Sequence, residues 1–193
     1  MEQQIAAALQ DSAQLLSRVG ETLAPEIARV AELATACLRA GHTIALCGNG
    51  GSASQAQHLA GELMGRFRRE RPAFRALSLT TDTAVLTALG NDYGFEEVFR
   101  RQVEGLLGPG DMLICLSTSG NAENIRRAAT EARARQVTVI GLTGETGGKL
   151  LPLADVCLKI PHSQTSTIQE AHLAIGHILC DLVEEGMVQN PQL

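Results

Sequence analysis

The chain of 193 residues has few aromatic side chains, with no tryptophan, one tyrosine and four phenylalanines. Proteins that bind single-stranded nucleic acid usually stack bases on aromatic rings and carry excess basic charge. This chain instead has a net charge of -5 at pH 7. We therefore expect no direct binding to nucleic acid.

Long hydrophobic runs are also absent, because each apolar stretch is interrupted within a few residues. A membrane-spanning helix needs about 20 mostly apolar residues in succession. The first residues, Met1 to Gln4, lack the basic-then-apolar pattern of a signal peptide. We therefore expect no contact with a membrane and a cytoplasmic location.

The five cysteines are an odd number and lack the spacing of metal ligands. Each lies in an apolar segment, which is typical of small core residues in a reducing compartment. With an apolar fraction of 45%, the chain is long enough to bury a substantial core. We predict one domain over residues 1–193.

The hydrophobic periodicity predicts helices first and then alternating strands and helices. Two helical patterns fill residues 1–40, and Pro25 is placed where it could start the second of them. An α/β core is predicted over residues 43–187, with strands at 43–47, 74–79, 111–116, 137–142 and 156–160 and helices at 52–66, 82–89, 94–107, 122–135 and 165–185. This pattern predicts a three-layer α/β sandwich with a five-stranded parallel sheet of flavodoxin-like order 2-1-3-4-5.

A glycine-rich turn follows the first predicted strand and opens into a helix at residues 48–52. Glycines allow a close backbone approach to a ligand, and the helix directs free N–H groups at an anion. Further along the same helix, His58 and Glu62 are four residues apart and therefore share one face. This combination suggests a phosphate-binding site beside side chains that can catalyse a reaction, although an isolated His–Glu pair could be a simple surface pair.

A second polar loop, Ser117-Thr118-Ser119, follows the third predicted strand. In the expected sheet order, the ends of strands 1 and 3 meet at the crevice where ligands bind. Three hydroxyls at a helix N-terminus suit a phosphate monoester, and a plain helix cap is the alternative for this loop alone. Two such loops at one crevice favour a ligand.

Several motifs together carry a family resemblance: Gly48 to Ser52, Gln57-His58, Glu62, Thr80 to Asp82, Gly90 to Gly94, Ser117 to Asn121, and Ile168 to Glu170 with His177. They resemble the sugar isomerase (SIS) family and, within it, the phosphoheptose isomerases, over nearly the whole chain. The resemblance implies an aldose–ketose isomerase that converts sedoheptulose 7-phosphate to D-glycero-D-manno-heptose 7-phosphate through an enediolate, for the heptose of lipopolysaccharide. It also implies a homotetramer with sites shared between subunits, in which the N-terminal helix pair serves assembly.

The same resemblance assigns roles to individual residues. Glu62 and His177 would carry catalysis. The expected contacts to the substrate are Asn49, Gly50, Gly51, Ser52, Glu62, Arg66, Asn91, Asp92, Gln169 and, for the phosphate, Ser117, Thr118 and Ser119. Zinc, one ion per subunit, would be held by His58, Glu62, Gln169 and His177. Ala122 departs from the pattern, because relatives commonly have a serine there.

Some alternatives stay open at this level. A ketose–aldose conversion needs a base and a proton shuttle, and the residues do not decide which of Glu62 and His177 is the base. A non-catalytic SIS protein that binds a replication initiator, or a sugar-phosphate sensor, would use the same fold. His42, His162 and His172 are expected to be structural. The final helix is apolar on two sides, and we expect one side to meet the sheet and the other a second subunit.

Overall fold

The computed structural model describes residues 1–188, so the last five residues of the expected single domain lie outside the described part. The helices are α1 (Glu2–Arg39), α2 (Gly51–Met64), α3 (Thr83–Asp92), α4 (Arg100–Leu106), α5 (Glu123–Ala134) and α6 (Thr165–Val188). The strands are β1 (Ile44–Gly48), β2 (Ala76–Ser78), β3 (Met112–Ser117), β4 (Thr138–Gly144) and β5 (Val156–Ile160). Two short 3-10 helices cover Phe95–Glu97 and Gly148–Leu153.

The strands form one parallel sheet in the order β2-β1-β3-β4-β5. Every residue of β1 and β3 is buried, as expected for parallel strands covered on both faces. Helices α1, α2 and α6 share one apolar core with one face of the sheet, whereas α4 and α5 share a second core with the other face. The predicted three-layer sandwich and its strand order are therefore confirmed.

The N-terminal region differs from the prediction of two helices. A single helix, α1, runs from Glu2 to Arg39 and contains Pro25 in its interior. Proline there removes one backbone hydrogen bond at a cost of about 3 kcal/mol. The helix continues because its buried side chains, including Val19 before the proline and Ile27 after it, pack in one core with α6.

The N-terminal half of α1 is joined by polar contacts to the segment that starts α6. The hydroxyl of Ser12 donates to the carboxylate of Glu170, and the Nε2 atom of His162 lies 3.2 Å from the Oδ2 atom of Asp11. Glu170 and His162 both lie within eight residues of Gln169 in the sequence. The beginning of α1 therefore supports the part of α6 that is closest in sequence to an expected site residue.

The two sides of α6 are used differently from the expectation. Ala171, Ile175 and Leu179 on one side of the helix are buried. Cys180 and Val183 on the other side are buried as well. Ile178 and Leu182 are 49% and 38% exposed instead. The helix packs on α1, on α2 and on the sheet, which explains why a wide arc of its surface is buried.

The predicted helix over residues 94–107 is also interrupted. Gly94 has a φ of 94°, and a 3-10 turn separates it from α4. The helix predicted over residues 82–89 extends further than expected, so that Asn91 and Asp92 are the last residues of α3, a helix whose start is capped by Asp82. No helix within residues 1–188 is long and apolar enough to cross a membrane.

Candidate active site

The candidate site lies at the edge of the sheet where two neighbouring strands end. β1 ends at Gly48 and β3 ends at Ser117, and these strands are hydrogen-bonded partners. Helix α2 begins within three residues of the first strand end, and α5 begins six residues after the second. Both helix N-termini therefore lie at one crevice, as the sheet order predicted.

The glycine loop brings its backbone close to α6. Gly50 precedes α2 with a φ of 56° and a ψ of -122°, a conformation that favours glycine. A Cβ atom on Gly51 would stand 2.8 Å from the amide of Gln169, so the absence of a side chain at Gly51 gives this amide its place. The loop is therefore shaped to admit the Gln169 side chain beside the start of α2.

The two loops are connected by a reciprocal pair of amides. Asn49 donates from Nδ2 to the Oδ1 atom of Asn124, and Asn124 donates back in the same way, each over 2.9 Å. The Oδ1 atom of Asn124 also accepts from the N–H of Ile125 at 2.9 Å. Asn124 is 3% exposed. This buried residue, which the sequence analysis did not identify, fixes Asn49 to the start of α5.

The serine loop leaves donors available at the start of α5. Among the described residues, the side-chain hydroxyls of Ser117 and Thr118 have no hydrogen-bond partner, whereas that of Ser119 accepts from the N–H of Asn121. Ala122 occupies the N-cap position of α5 and provides no side-chain cap. The departure noted in the sequence therefore leaves the N–H groups of Glu123 and Asn124 without a capping oxygen, while that of Ile125 is bound by the side chain of Asn124.

Three side chains from two helices form a cluster beside these loops. On α2, the His58 Nε2 atom lies 3.3 Å from the Oε1 atom of Glu62. The Nε2 atom of His177, from α6, lies 2.8 Å from that of His58. One potential ligand atom from each of the three residues lies within 4.8 Å of the others. The i,i+4 spacing on α2 thus gives one shared face, and the packing of α6 adds the third group.

This donor set fits a metal such as zinc. Imidazole nitrogens and a carboxylate oxygen are common zinc ligands, and here they converge from rigid helices. A hydrogen bond between the two Nε2 atoms needs a proton on one of them and a lone pair on the other. A cation would instead bind the lone pairs of both Nε2 atoms. The side chains are partly open to solvent, with His58 45% and Glu62 23% exposed, which gives an ion access.

Gln169, the fourth expected ligand, is oriented towards the glycine loop. Its Nε2 atom donates to the hydroxyl of Ser52 over 3.4 Å, and its backbone carbonyl accepts from the side chain of Gln55. Ser52 itself is 3% exposed. The structure therefore joins Gln169 to Ser52 and Gly51, while its amide makes no hydrogen bond to the histidine cluster.

Arg66, Asn91 and Asp92 are not joined to the cluster by any hydrogen bond or ion pair among residues 1–188. Arg66 is exposed and lies 3.6 Å from Glu70. The side chain of Asn91 donates to Asp92, and both are exposed. Their expected contacts to a substrate stay predictions.

The basic segment at residues 66–71 does not continue α2 into solvent. α2 ends at Met64, and the segment folds back onto α6. Arg71 is nearly buried and pairs with the buried carboxylate of Glu184 at 3.1 Å. The ring of Phe67 stacks on the imidazole of His177, with centroids 5.5 Å apart and planes inclined by 21°. Neither Phe67 nor Glu184 was identified from the sequence.

The remaining histidines have structural contacts. His42 lies 3.8 Å from Asp111, and His162 pairs with Asp11. The Nε2 atom of His172 lies 3.2 Å from the carbonyl oxygen of Thr143. Burial lowers the pKa of His172 to about 4, so this imidazole is neutral near pH 7.

Comparison with known proteins gives consistent matches. The model of the SIS domain family matches residues 9–144. A phosphoheptose isomerase of Rhodospirillum rubrum is 50% identical over 187 residues, which cover 97% of this chain and 99% of that relative. The solved phosphoheptose isomerase from Neisseria gonorrhoeae is 41% identical, with a TM-score of 0.90 over 95% of this chain and 98% of that one. The one from Francisella tularensis is 38% identical, with a TM-score of 0.92 over 95% and 97% of the two chains.

These three relatives match over nearly the full length of both chains, and the two solved structures agree with the overall fold described above. They give no support to the alternative of a non-catalytic protein that binds a replication initiator. The chain belongs to the SIS-domain family and, within it, to the phosphoheptose isomerases.

Proposed function

We propose that the chain is an aldose–ketose isomerase that interconverts sedoheptulose 7-phosphate and D-glycero-D-manno-heptose 7-phosphate. The observation that carries this proposal is the cluster of His58, Glu62 and His177 beside two helix N-termini at the carboxyl edge of the sheet. The cluster can move protons, and the helix ends can hold a phosphate. The names of the full-length relatives supply the identity of the sugar.

The phosphate is held at the start of α5. The hydroxyls of Ser117, Thr118 and Ser119 and the backbone N–H groups of the loop donate to its oxygens, and the helix dipole favours the negative charge. The amide of Asn49, fixed by Asn124, faces the sugar together with Gly50 and Gly51. These contacts keep the substrate still while its other end reacts.

The reaction moves a proton between the two carbons of the enediolate. A base removes a proton from the carbon next to the carbonyl group. The same or a second group then returns the proton to the former carbonyl carbon, while protons are exchanged on the two oxygens. Glu62 and His177 are the two groups for these steps. Both are close to His58, which can accept or donate a hydrogen bond as the charges change.

Zinc bound by His58, Glu62, His177 and Gln169 would polarise the carbonyl of the substrate and stabilise negative charge on its oxygen. The residues from the histidine cluster suit this ion as described above. Gln169 would join them through its side-chain carbonyl after leaving Ser52. A group that binds zinc is a weaker base, and both Glu62 and His177 would bind the ion, so metal binding does not decide which of the two removes the proton.

Turnover of sedoheptulose 7-phosphate by the purified protein tests the proposal. The two sugar phosphates are separated by chromatography, with fructose 6-phosphate as a shorter competing substrate and a chelator in a parallel reaction. We expect heptose phosphate to form, activity to fall with chelator, and zinc to restore it. Absence of conversion by the folded protein, with and without added zinc, would contradict the function.

We also propose a homotetramer with shared sites, located in the cytoplasm. Ile5, Leu9 and Leu16 on α1 and Ile178 and Leu182 on α6 are exposed large hydrophobic residues. An apolar groove of about 370 Å³ separates the two helices there. The five unpaired cysteines agree with a reducing compartment.

Sedimentation at micromolar concentration tests the assembly. We expect a particle of four times the chain mass of 20.5 kDa, and we expect Leu9→Glu to produce smaller particles. A monomer of the unmodified chain would contradict the proposed tetramer.

A further inference from the structure

Glu184 is a buried carboxylate that has no part in the mechanism described above. It follows His177 by seven residues on α6, which is about two turns, so both side chains lie on one face of the helix. Its side chain is 0% exposed. Glutamate is almost never fully buried unless it is paired, so its partners show what it does.

The partners of Glu184 all come from the segment 67–71. Its Oε1 atom accepts from the N–H of Phe67 at 2.7 Å, and its Oε2 atom accepts from the N–H groups of Arg68 and Arg69 at 2.9 and 3.0 Å. Arg71 Nε donates to Oε1 at 3.1 Å. Burial alone would raise the pKa of Glu184, but these backbone donors and the Arg71 charge lower it below its ordinary value. The ionised carboxylate therefore fixes the backbone of this segment.

The segment that Glu184 holds contacts the catalytic cluster at two points. The ring of Phe67 stacks on His177 and so limits the rotation of its imidazole. The guanidinium of Arg71 donates to the carbonyl oxygens of Glu62 at 2.9 Å and Gly65 at 3.0 Å, at the C-terminal end of α2. One carboxylate thus links the helix that carries His177 to the helix end that carries Glu62.

We propose that Glu184 is a positioning residue, which holds Phe67 against the imidazole of His177 and keeps the end of α2 in place for proton transfer. A buried ion pair is in itself weak support for stability, because desolvation of the two charges offsets their attraction. Four donors that converge on one carboxylate and lead to two catalytic groups are better explained by positioning. The inference rests on the proposed isomerase function for its kinetic test only.

Three variants separate positioning from a purely structural role. Glu184→Gln keeps the shape but presents an amide NH₂ group to backbone N–H donors, and Phe67→Leu removes the ring while it leaves the carboxylate in place. Asp181→Asn is the matched control. Asp181 lies on α6, as Glu184 does, and binds the side chains of Arg68 and Arg69, but it accepts no backbone N–H from segment 67–71. The double variant Glu184→Gln with Phe67→Leu completes a cycle.

We expect Glu184→Gln to lower kcat by about 10- to 100-fold, the scale of a small misplacement of a catalytic group. KM should change less than about twofold, because the phosphate contacts lie in a different loop. Phe67→Leu should lower kcat in the same direction, and the double variant should be no slower than the slower single variant. Asp181→Asn should stay within about twofold of the parent enzyme, as expected for a half-exposed ion pair.

A second measurement does not depend on activity. The full-length protein labelled with ¹³C at histidine Cε1 gives one signal for each of its five histidines, and the signal missing in His177→Gln belongs to His177. The ring current of Phe67 shifts this signal, so Glu184→Gln and Phe67→Leu should move it in the same direction and Asp181→Asn should not.

An unchanged kcat together with an unmoved His177 signal in folded Glu184→Gln would overturn the proposal, as would additive effects in the cycle. If Glu184→Gln does not fold, Phe67→Leu decides, and its failure to move the signal would be equally negative. A moved signal in a protein without isomerase activity would contradict the function while it supports the positioning.

Discussion

Replacing Asn124 by alanine should weaken both the fold and the reaction, because this residue joins the two substrate loops. The change removes three hydrogen bonds of 2.9 Å at a site that is 3% exposed. At about 1 kcal/mol each, they predict a loss of about 3 kcal/mol in the free energy of unfolding. Urea unfolding at one fixed protein concentration measures this loss, since an oligomer is stabilised by mass action.

The kinetic effect follows from Asn49, which loses the partner that orients its amide. We expect kcat/KM for sedoheptulose 7-phosphate to fall about tenfold, which corresponds to about 1.4 kcal/mol of transition-state stabilisation. Asn124→Asp is the matched variant, because its carboxylate still accepts from Asn49 and from the N–H of Ile125 but donates nothing to Asn49. Its free energy of unfolding and its kcat/KM should both lie between those of the parent enzyme and those of Asn124→Ala. A destabilised Asn124→Ala enzyme with parental kcat/KM would refute the positioning of Asn49 by this pair.

Three further predictions address the proton chemistry, the phosphate loop and the core. Glu62→Gln should reduce turnover by at least about 100-fold with unchanged urea unfolding; a near-parental rate would remove Glu62 from the mechanism. Ala122→Ser should lower KM about threefold by supplying one hydroxyl at the start of α5; a raised KM would show that the loop has no room for it. Because burial lowers the pKa of His172 from 6.5 to about 4, the unfolded chain alone binds a proton between these values. The contribution of neutral, buried His172 to the free energy of unfolding is therefore complete above pH 6.5. It falls by about 3 kcal/mol towards pH 4. His172→Gln should flatten that part of the urea pH profile, and an equally steep profile would contradict the assignment.

The sheet could be predicted from the sequence because its signal is local. Five short apolar runs separated by helical patterns allow few arrangements, and the resulting order places the ends of β1 and β3 side by side. The spacing of His58 and Glu62 likewise fixed their shared face on α2. These inferences needed only neighbouring residues and the rules of parallel sheets.

The errors came from contacts between distant parts of the chain. Pro25 was expected to start a second helix, but α1 continues through it because its buried residues on both sides of the proline pack in one core with α6. Glu184 and Phe67 have no local motif, since their partners are more than one hundred residues away in sequence. The amide of Gln169 lies in the open space left by Gly51, and its expected bond to a metal at the histidines stays a prediction.

The contacts between the beginning of α1 and the segment that starts α6 have a practical consequence for work with this protein. Affinity tags are usually added at the N-terminus, only ten residues before Asp11 and eleven before Ser12. A tag that disturbs the first turns of α1 would weaken the contacts of Ser12 with Glu170 and of Asp11 with His162. Since Glu170 directly follows Gln169, a loss of these contacts would act on an expected substrate contact from outside the site. Kinetic constants should therefore be compared between tagged and cleaved preparations before any substitution is interpreted.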